Sequence, residues 1–361
     1  RHKSRGFIRY LNKHYADSHS RFFLACMMAG IWLRYVVKAA MSLVDRVFLP
    51  PLVARREIAR VVLLYRLTRY GPRDNSLSGR TILVTGASGQ TGLCVVGQAL
   101  ARGARVIAIY NRTVIPFTHP GLEWVQRDLK KLPLDIKADV LIHTGSLWML
   151  MDRIEEVCAA GIERVIAFGS TSMFAKVDTR SIYEQDVVEK LKLAETHIEK
   201  IALEHKVRVT ILRPTMIYGV GLDANLTRMA DVVRRFGVLP VYGAASGLRH
   251  PVQVPDLARA ALDIIDNPVT FGKSYNLGGG QAMTYYQMVT LLFLYLGKKP
   301  RILRPPFMIF ALDWLGKIYQ VGYISGEIAR RMNQDLLFDG KEAAQDFGYR
   351  PKRFLEGDVV I

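Results

Sequence analysis

From residue 79 onward, short apolar runs alternate with amphipathic stretches. Thr81–Thr85 is a β-branched run, and Val106–Tyr110, Val140–His143, Arg164–Phe168 and Val207–Leu212 are further apolar runs of strand length. Between them, Gly92–Ala101 and Asp152–Ala160 have the texture of helices. Fully apolar strands alternating with helices predict an α/β fold, a doubly wound parallel sheet covered on both faces. Before residue 79 the pattern differs. Phe22–Leu33 is uncharged, and then Arg34, Lys38 and Arg46 interrupt the apolar sequence. A membrane-spanning helix needs about 20 mostly apolar residues, so this stretch is too short. Basic residues recurring among Trp32, Tyr35, Val36 and Leu43, and again from Arg55 to Arg69, fit a helix lying in a membrane interface. The alternative is a basic helical hairpin packed on a neighbouring domain. Gly71, Pro72, Asn75, Ser76, Ser78 and Gly79 form a breaker cluster. It divides the chain into a basic, apolar helical segment over 1–78 and an α/β domain over 79–361.

Charge sharpens this division. The chain of 361 residues carries a net charge of +18. Residues 1–80 hold 16 Lys and Arg against four acids, so most of the excess lies in under a quarter of the sequence. The basic residues are mixed with apolar ones and form no polar stripe, which argues against nucleic acid and for a membrane face or a neighbouring module. Half of the residues are hydrophobic, which excludes a disordered chain. Cys26, Cys94 and Cys158 are odd in number and far apart, so neither a disulfide framework nor a zinc site is expected, and no metal is predicted. A reducing cytoplasm follows, with peripheral association at the inner membrane face through the basic segment. The Phe22–Leu33 run is not expected to be a secretory signal, because dense basic residues and no small-residue cleavage site follow it. The first residue is Arg1 and not Met, so the sequence is expected to be a processed chain or a piece of something longer.

The first strand runs into Gly86-Ala-Ser88-Gly89-Gln90-Thr91-Gly92, and a helix follows. The first glycine permits a tight turn, the second lets backbone approach a pyrophosphate, and the third lets helix and strand pack closely. The helix N-terminus then offers N–H groups and a positive dipole to phosphates. Gly86, Ser88, Gly89, Gln90, Thr91 and Gly92 are therefore the expected cofactor-binding loop. Its GxxGxxG spacing resembles the short-chain dehydrogenase/reductase superfamily. Later segments are similar to the extended branch of nucleotide-sugar epimerases, dehydratases and reductases: Asp139-Val-Leu-Ile-His143, Arg164–Phe174 with Ser170, Ile211-Leu-Arg213-Pro214 through Gly219, Leu248–Leu257, and Tyr275-Asn-Leu-Gly-Gly-Gly280. The resemblance covers about residues 79–357 and implies a Rossmann-like domain with a small C-terminal substrate-binding part.

The second strand ends in Asn111-Arg112 with no acidic residue to hold an adenosine ribose. Arginine can pair with a 2′-phosphate, so NADP(H) is favoured and NAD is the alternative. Asp128 resembles the adenine-contacting aspartate of the family. The resemblance also implies a Tyr-x-x-x-Lys pair working with a serine. Ser170 matches the serine and Lys192 the lysine, which would also touch cofactor. Val188 stands where the tyrosine belongs, and the nearest tyrosine is Tyr183. Three readings stay open: Tyr183 or Thr171 substitutes as proton donor, the enzyme is slow or altered, or the domain binds cofactor without turnover.

On the substrate side, Asn225 resembles the family's nucleotide-sugar asparagine and Arg249 its diphosphate-binding arginine. Tyr10-Leu-Asn-Lys13-His14-Tyr15 with Arg21 is similar to the tail of a polysaccharide glycosyltransferase. Together these imply an NADP(H)-dependent 4-keto reductase or C4 epimerase acting on a nucleotide sugar for surface polysaccharide, tethered beside a glycosyltransferase through residues 1–70. A homodimer is expected from the family. The reading from another class is a non-catalytic binding module that tethers or regulates a membrane transferase.

Overall fold

The computed structural model describes residues 57–69, 74–113, 115–130, 136–319 and 326–361. The expected interfacial helix around Phe22–Arg46 and the glycosyltransferase-like residues 10–15 lie outside the described residues. The central sheet has seven parallel strands: β1 (Thr81–Thr85), β2 (Arg105–Tyr110), β3 (Leu122–Gln126), β4 (Val140–His143), β5 (Arg164–Phe168), β6 (Arg208–Pro214) and β7 (Lys273–Leu277). Their order across the sheet is β7-β6-β5-β4-β1-β2-β3. The chain winds outward in both directions from β1, so the switch point of the sheet lies between β1 and β4, beside the Gly86 turn. This is the expected doubly wound Rossmann-like architecture.

The alternation of side chains along each strand builds two cores. Ile82, Val84, Val106, Ala108, Val140 and Ile142 face α2 (Gln90–Ala101) and α8 (Val254–Asp263). Leu83, Ile107, Ile109, Leu141, Val165 and Ala167 face α3 (Leu147–Met151), α4 (Ile154–Ala159) and α6 (Ile182–Glu204). The central positions of these strands are apolar on both faces because both faces are covered. The remaining named helices are α1 (57–69), α5 (Ser172–Ala175), α7 (Leu226–Phe236), α9 (Tyr285–Tyr295), α10 (Met308–Tyr319), α11 (Glu327–Arg331) and α12 (Lys341–Phe347). Beyond β6 the chain forms two smaller cores, one around Tyr218, Leu226, Met288 and Phe354, the other around Val233, Leu239, Phe293 and Met332.

The compact unit containing the sheet starts at Glu57, so the expected boundary at 78/79 falls inside it. Leu64 of α1 is fully buried in the same core as Leu93 and Val96. Arg66 also pairs with Asp358 at 3.0 Å. No helix among the described residues is long and apolar enough to cross a membrane.

Arg164, at the start of β5, is buried and faces no carboxylate within ion-pair distance among the described residues. Its guanidinium donates instead to the carbonyls of Ile264, Ile265, Val165 and Arg208 and to the hydroxyls of Thr210 and Thr270. Two of those carbonyls close α8, where the helix dipole favours a cation. Burial lowers its pKa to about 10, and it remains charged at neutral pH.

Candidate functional site

The Gly86 turn has the conformation its sequence requires. Gly86 sits at φ +72°, a region open to glycine and strained for other residues. Its carbonyl accepts from the Gly89 N–H at 2.9 Å, and the Thr144 hydroxyl reaches back to the carbonyls of Thr85 and Gly86 at 2.9 and 3.2 Å. A Cβ on Gly92 would lie 2.4 Å from the Gly86 oxygen and 2.7 Å from the Ala87 Cα. Helix α2 therefore approaches the turn as closely as backbone allows. Gly89 caps α2 with no side-chain hydrogen bond, and the first turn holds no acid. Its free N–H groups and dipole remain available to an anion. The Gln90 Oε1 is buried there without a hydrogen-bond partner.

At the end of β2, Asn111 and Arg112 are both exposed, and the Asn111 carbonyl accepts from Gln126 at 3.0 Å. Asp128 is partly exposed and caps the turn at Lys130. His143 ends β4 against the glycine turn. Its Nε2–H donates to the Ser146 carbonyl at 3.1 Å, so Nδ1 accepts from the Thr85 hydroxyl at 2.7 Å. Burial pushes its pKa down to about 4. It is a neutral, satisfied core histidine.

A cleft of about 460 Å³ opens at the C-terminal ends of β5 and β6. Gln90, Ser170, Thr171, Asn225, Arg249 and Arg331 are among the residues that line it. Clefts outside the carboxyl ends of the strands are where open α/β sheets bind ligands. The Ser170 Oγ accepts from the Ser172 N–H at 3.1 Å and keeps its own proton to donate. The Thr171 hydroxyl donates to the Pro214 carbonyl at 3.1 Å, so its proton is engaged.

The structure does not bring Lys192 or Tyr183 to this cleft. Val188, Leu191, Glu195 and Ile198 form the buried face of α6. Lys192, one turn after Val188 at the edge of that face, is exposed and lines a separate depression with Val188, Leu193 and Thr196. Tyr183 is 49% exposed and lies outside the lining of both depressions. The apolar Val188 side chain carries no exchangeable proton.

Glu195 ties α6 to β6 by accepting from the Arg213 Nε at 2.8 Å. Burial raises its pKa, with Arg213 opposing the shift.

The substrate-side residues reach the cleft in different states. Asn225 is exposed at the start of α7, its side chain open to the cleft. Asp223 beside it accepts from the N–H groups of Asn225 and Thr227 at 2.9 and 3.0 Å, which satisfies that helix terminus. Arg249 is buried, and its guanidinium donates to the carbonyls of Leu248 (2.8 Å), Gln334 (2.7 Å) and Arg331. It also lies 5.4 Å over the Tyr285 ring. Burial lowers its pKa to about 10. Most of its donors hold the cleft wall together, and its charge acts on the cleft at close range.

Three cleft residues carry no local sequence signal: Lys176, His250 and Arg331. Arg331 grips Glu184 through two bonds of 2.6 and 2.7 Å. Glu184 also accepts from the Thr179 hydroxyl at 2.7 Å and lies 3.2 Å from the Lys176 Nζ. Burial pushes the Glu184 carboxyl up, but Arg331, Thr179 and Lys176 together hold it below its ordinary value. Lys176 lines both the cleft and the depression beside Val188. Among the described residues no group of three or more His, Cys, Asp or Glu is placed to hold a metal ion.

Residues 145–278 match the model of the NAD dependent epimerase/dehydratase family. The chain is similar to a dTDP-4-dehydro-6-deoxy-D-allose reductase of Streptomyces sp, 24% identical over 282 residues, covering 63% of this chain and 85% of the reductase. It is also similar to the mitochondrial NADH dehydrogenase [ubiquinone] 1 alpha subcomplex subunit 9 of Mus musculus, 26% identical over 272 residues and 68% of each chain. Among solved structures, MoeE5 in complex with UDP-glucose and NAD superposes with a TM-score of 0.60 at 20% identity, over 76% of this chain and 94% of MoeE5.

Proposed function

Residues 145–278 match the NAD dependent epimerase/dehydratase family, and from that likeness we propose that the chain is a nucleotide-sugar 4-keto reductase or C4 epimerase that prefers NADP(H). One observation carries the reading. Gln90, in the first turn of α2 behind the glycine cradle, lines the same cleft as Ser170 and Asn225. A phosphate-binding turn and a polar substrate wall thus share one space. The fit to a dinucleotide rests on Gly92, where any side chain would fill the cradle. A nicotinamide bound there supplies the hydride chemistry.

The protein's own groups do the rest. Arg249 brings a positive charge to the cleft wall, which suits a nucleoside diphosphate, while Lys176 and Arg331 balance Glu184. The Ser170 hydroxyl is free to hold a sugar oxygen. Proton transfer falls to Lys176 in place of the missing tyrosine, because its amine stands on the same wall as Ser170. Arg112 at the end of β2, with no acid beside it, is the basis for preferring NADP(H) over NAD(H). Supply of the product to surface polysaccharide assembly, at the inner membrane face, rests on the glycosyltransferase-like residues 10–15.

Purified full chain is mixed with NADPH and a 4-keto nucleotide sugar, and absorbance loss and epimer formation are followed. Turnover that falls on the order of a hundredfold in Lys176→Met, with nucleotide-sugar affinity retained, supports the reading. Dinucleotide binding without oxidation or epimer formation removes it. That outcome would favour the second reading, a cofactor-binding module without turnover. Val188 supports this second reading, as does the likeness to a protein named as a subunit of a larger complex. Arg112→Ala should lose affinity for NADPH and keep it for NADH.

A further inference from the structure

Helix α10 and the turn before it carry an aromatic face that the fold does not use. At about 100° per residue, Phe307, Phe310 and Trp314 fall on one side of the helix. They are 66%, 74% and 50% exposed. The opposite side is anchored. Ile309 packs over Gly326, and Asp313 accepts from the Gly326 N–H at 2.6 Å and lies 4.0 Å from Arg330. The helix is therefore held along one side while three large rings point outward along the other. Single exposed apolar residues are ordinary, but a cluster of rings on one face marks a contact surface.

The same stretch is basic. From Tyr285 to Leu312 the sequence has no Asp or Glu and has Lys298, Lys299, Arg301 and Arg304. Lys298 is bound to the carbonyls of Val233 and Arg234. Lys299, Arg301 and Arg304 are exposed, with the half-exposed Leu303 between the arginines. The Arg304 guanidinium lies 5.2 Å over the Tyr286 ring. Charge decides among the occupants that could cover this face. A second copy of a chain with net charge +18 would set like charges against these three. A bilayer with anionic headgroups supplies both an apolar layer for the rings and negative charge for the rim.

We propose that residues 299–314 dock this chain on an anionic bilayer surface. Phe307, Phe310 and Trp314 enter the headgroup boundary, and Lys299, Arg301 and Arg304 meet the lipid charges. This element is separate from residues 1–70, where the sequence places membrane contact, and it stands independently of the enzymatic reading.

The test uses the full chain with Trp32→Phe, Trp124→Phe and Trp148→Phe, which leaves Trp314 as the sole tryptophan. Vesicles of phosphatidylcholine mixed with phosphatidylglycerol, with brominated acyl chains, should shift its emission to the blue and quench it. Pure phosphatidylcholine should do so weakly. In the native-tryptophan background, Arg301→Ser with Arg304→Ser should lower vesicle affinity by roughly twenty-five-fold, from about fivefold per basic residue near the surface. Unchanged Trp314 emission on a chain that sediments with the vesicles would assign the contact to other residues and overturn the proposal. So would an emission shift that follows protein concentration without vesicles, which would identify a second copy as the occupant. Sedimentation of Phe307→Ser/Phe310→Ser equal to that of the parent would overturn it as well, without reliance on the tryptophan variants.

Discussion

Gly92→Ala offers a sharp test of the dinucleotide cradle, because the atoms it meets are backbone. The added Cβ would sit 2.4 Å from the Gly86 oxygen, 2.7 Å from the Ala87 Cα and 2.9 Å from the Thr144 Oγ1. Ordinary contacts of this kind lie near 3.4 Å, so the overlap is up to about 1 Å. No flexible side chain can absorb it: either α2 retreats or the turn opens. Overpacking of this size costs about 1–3 kcal/mol in stability. A displacement of about 1 Å at a binding turn costs roughly a hundredfold in function, or about 2.7 kcal/mol of affinity. Gly97→Ala is the control on the same helix. Its Cβ would meet the Leu67 side chain of α1 at 2.6 Å, far from the turn, so it should lower Tm and leave dinucleotide affinity unchanged. Calorimetric titration of the full chain with NADPH and NADH, alongside thermal unfolding, reads both quantities. If Gly92→Ala binds both dinucleotides within about threefold of the parent, the cradle argument is wrong; a hundredfold loss is the size it requires.

Other consequences are open to measurement. Leu64→Ala should destabilise the unit that starts at Glu57 by about 3 kcal/mol in urea unfolding, the usual loss for a fully buried leucine; an unchanged midpoint would detach α1 from the core. His143 is neutral in the fold with its pKa down to about 4. Above pH 6.5 the imidazole is neutral in both states. As pH falls from 6.5 toward 4, the unfolded chain takes up a proton that the folded one refuses. This group therefore removes about 3 kcal/mol of stability over that window, and His143→Gln should show a correspondingly flatter profile. Glu184→Gln should cost about 3–5 kcal/mol by leaving Arg331 buried and uncompensated, and Arg331→Met less, because Glu184 keeps Lys176 and Thr179. The double variant should cost less than the sum, as a double-mutant cycle would read.

Much of the fold is legible in the sequence because the central positions of its inner strands are continuously apolar. The runs at Thr81–Thr85, Val140–His143 and Arg164–Phe168 coincide with β1, β4 and β5. The edge strand β3 gives no such signal. It pairs only with β2, and its Glu123 and Gln126 are exposed beside the half-buried Leu122, Trp124 and Val125. The glycine turn is legible because its φ and its close approach can be met by glycine alone. The substrate side is not, because the cleft gathers residues from distant segments. Arg331 and Glu184 stand 147 positions apart, and no local pattern joins them. Lys192 shows the limit of spacing arguments: it follows Val188 by one helical turn, yet it is exposed and absent from the lining of the cleft that holds Ser170.

The buried Arg164 has a consequence for how the domain comes apart. Its acceptors lie on β5 (Val165), on β6 and its approach (Arg208 and Thr210), at the end of α8 (Ile264 and Ile265) and at Thr270 before β7. Opening any one of these segments alone strands a cation away from water with part of its hydrogen bonding gone, which is costly. Partial openings are thereby penalised more than full unfolding, where water solvates the group. The guanidinium acts as a cooperativity lock: amide exchange in β5, β6 and the end of α8 should follow one shared opening event, with one common free energy, and not three local ones.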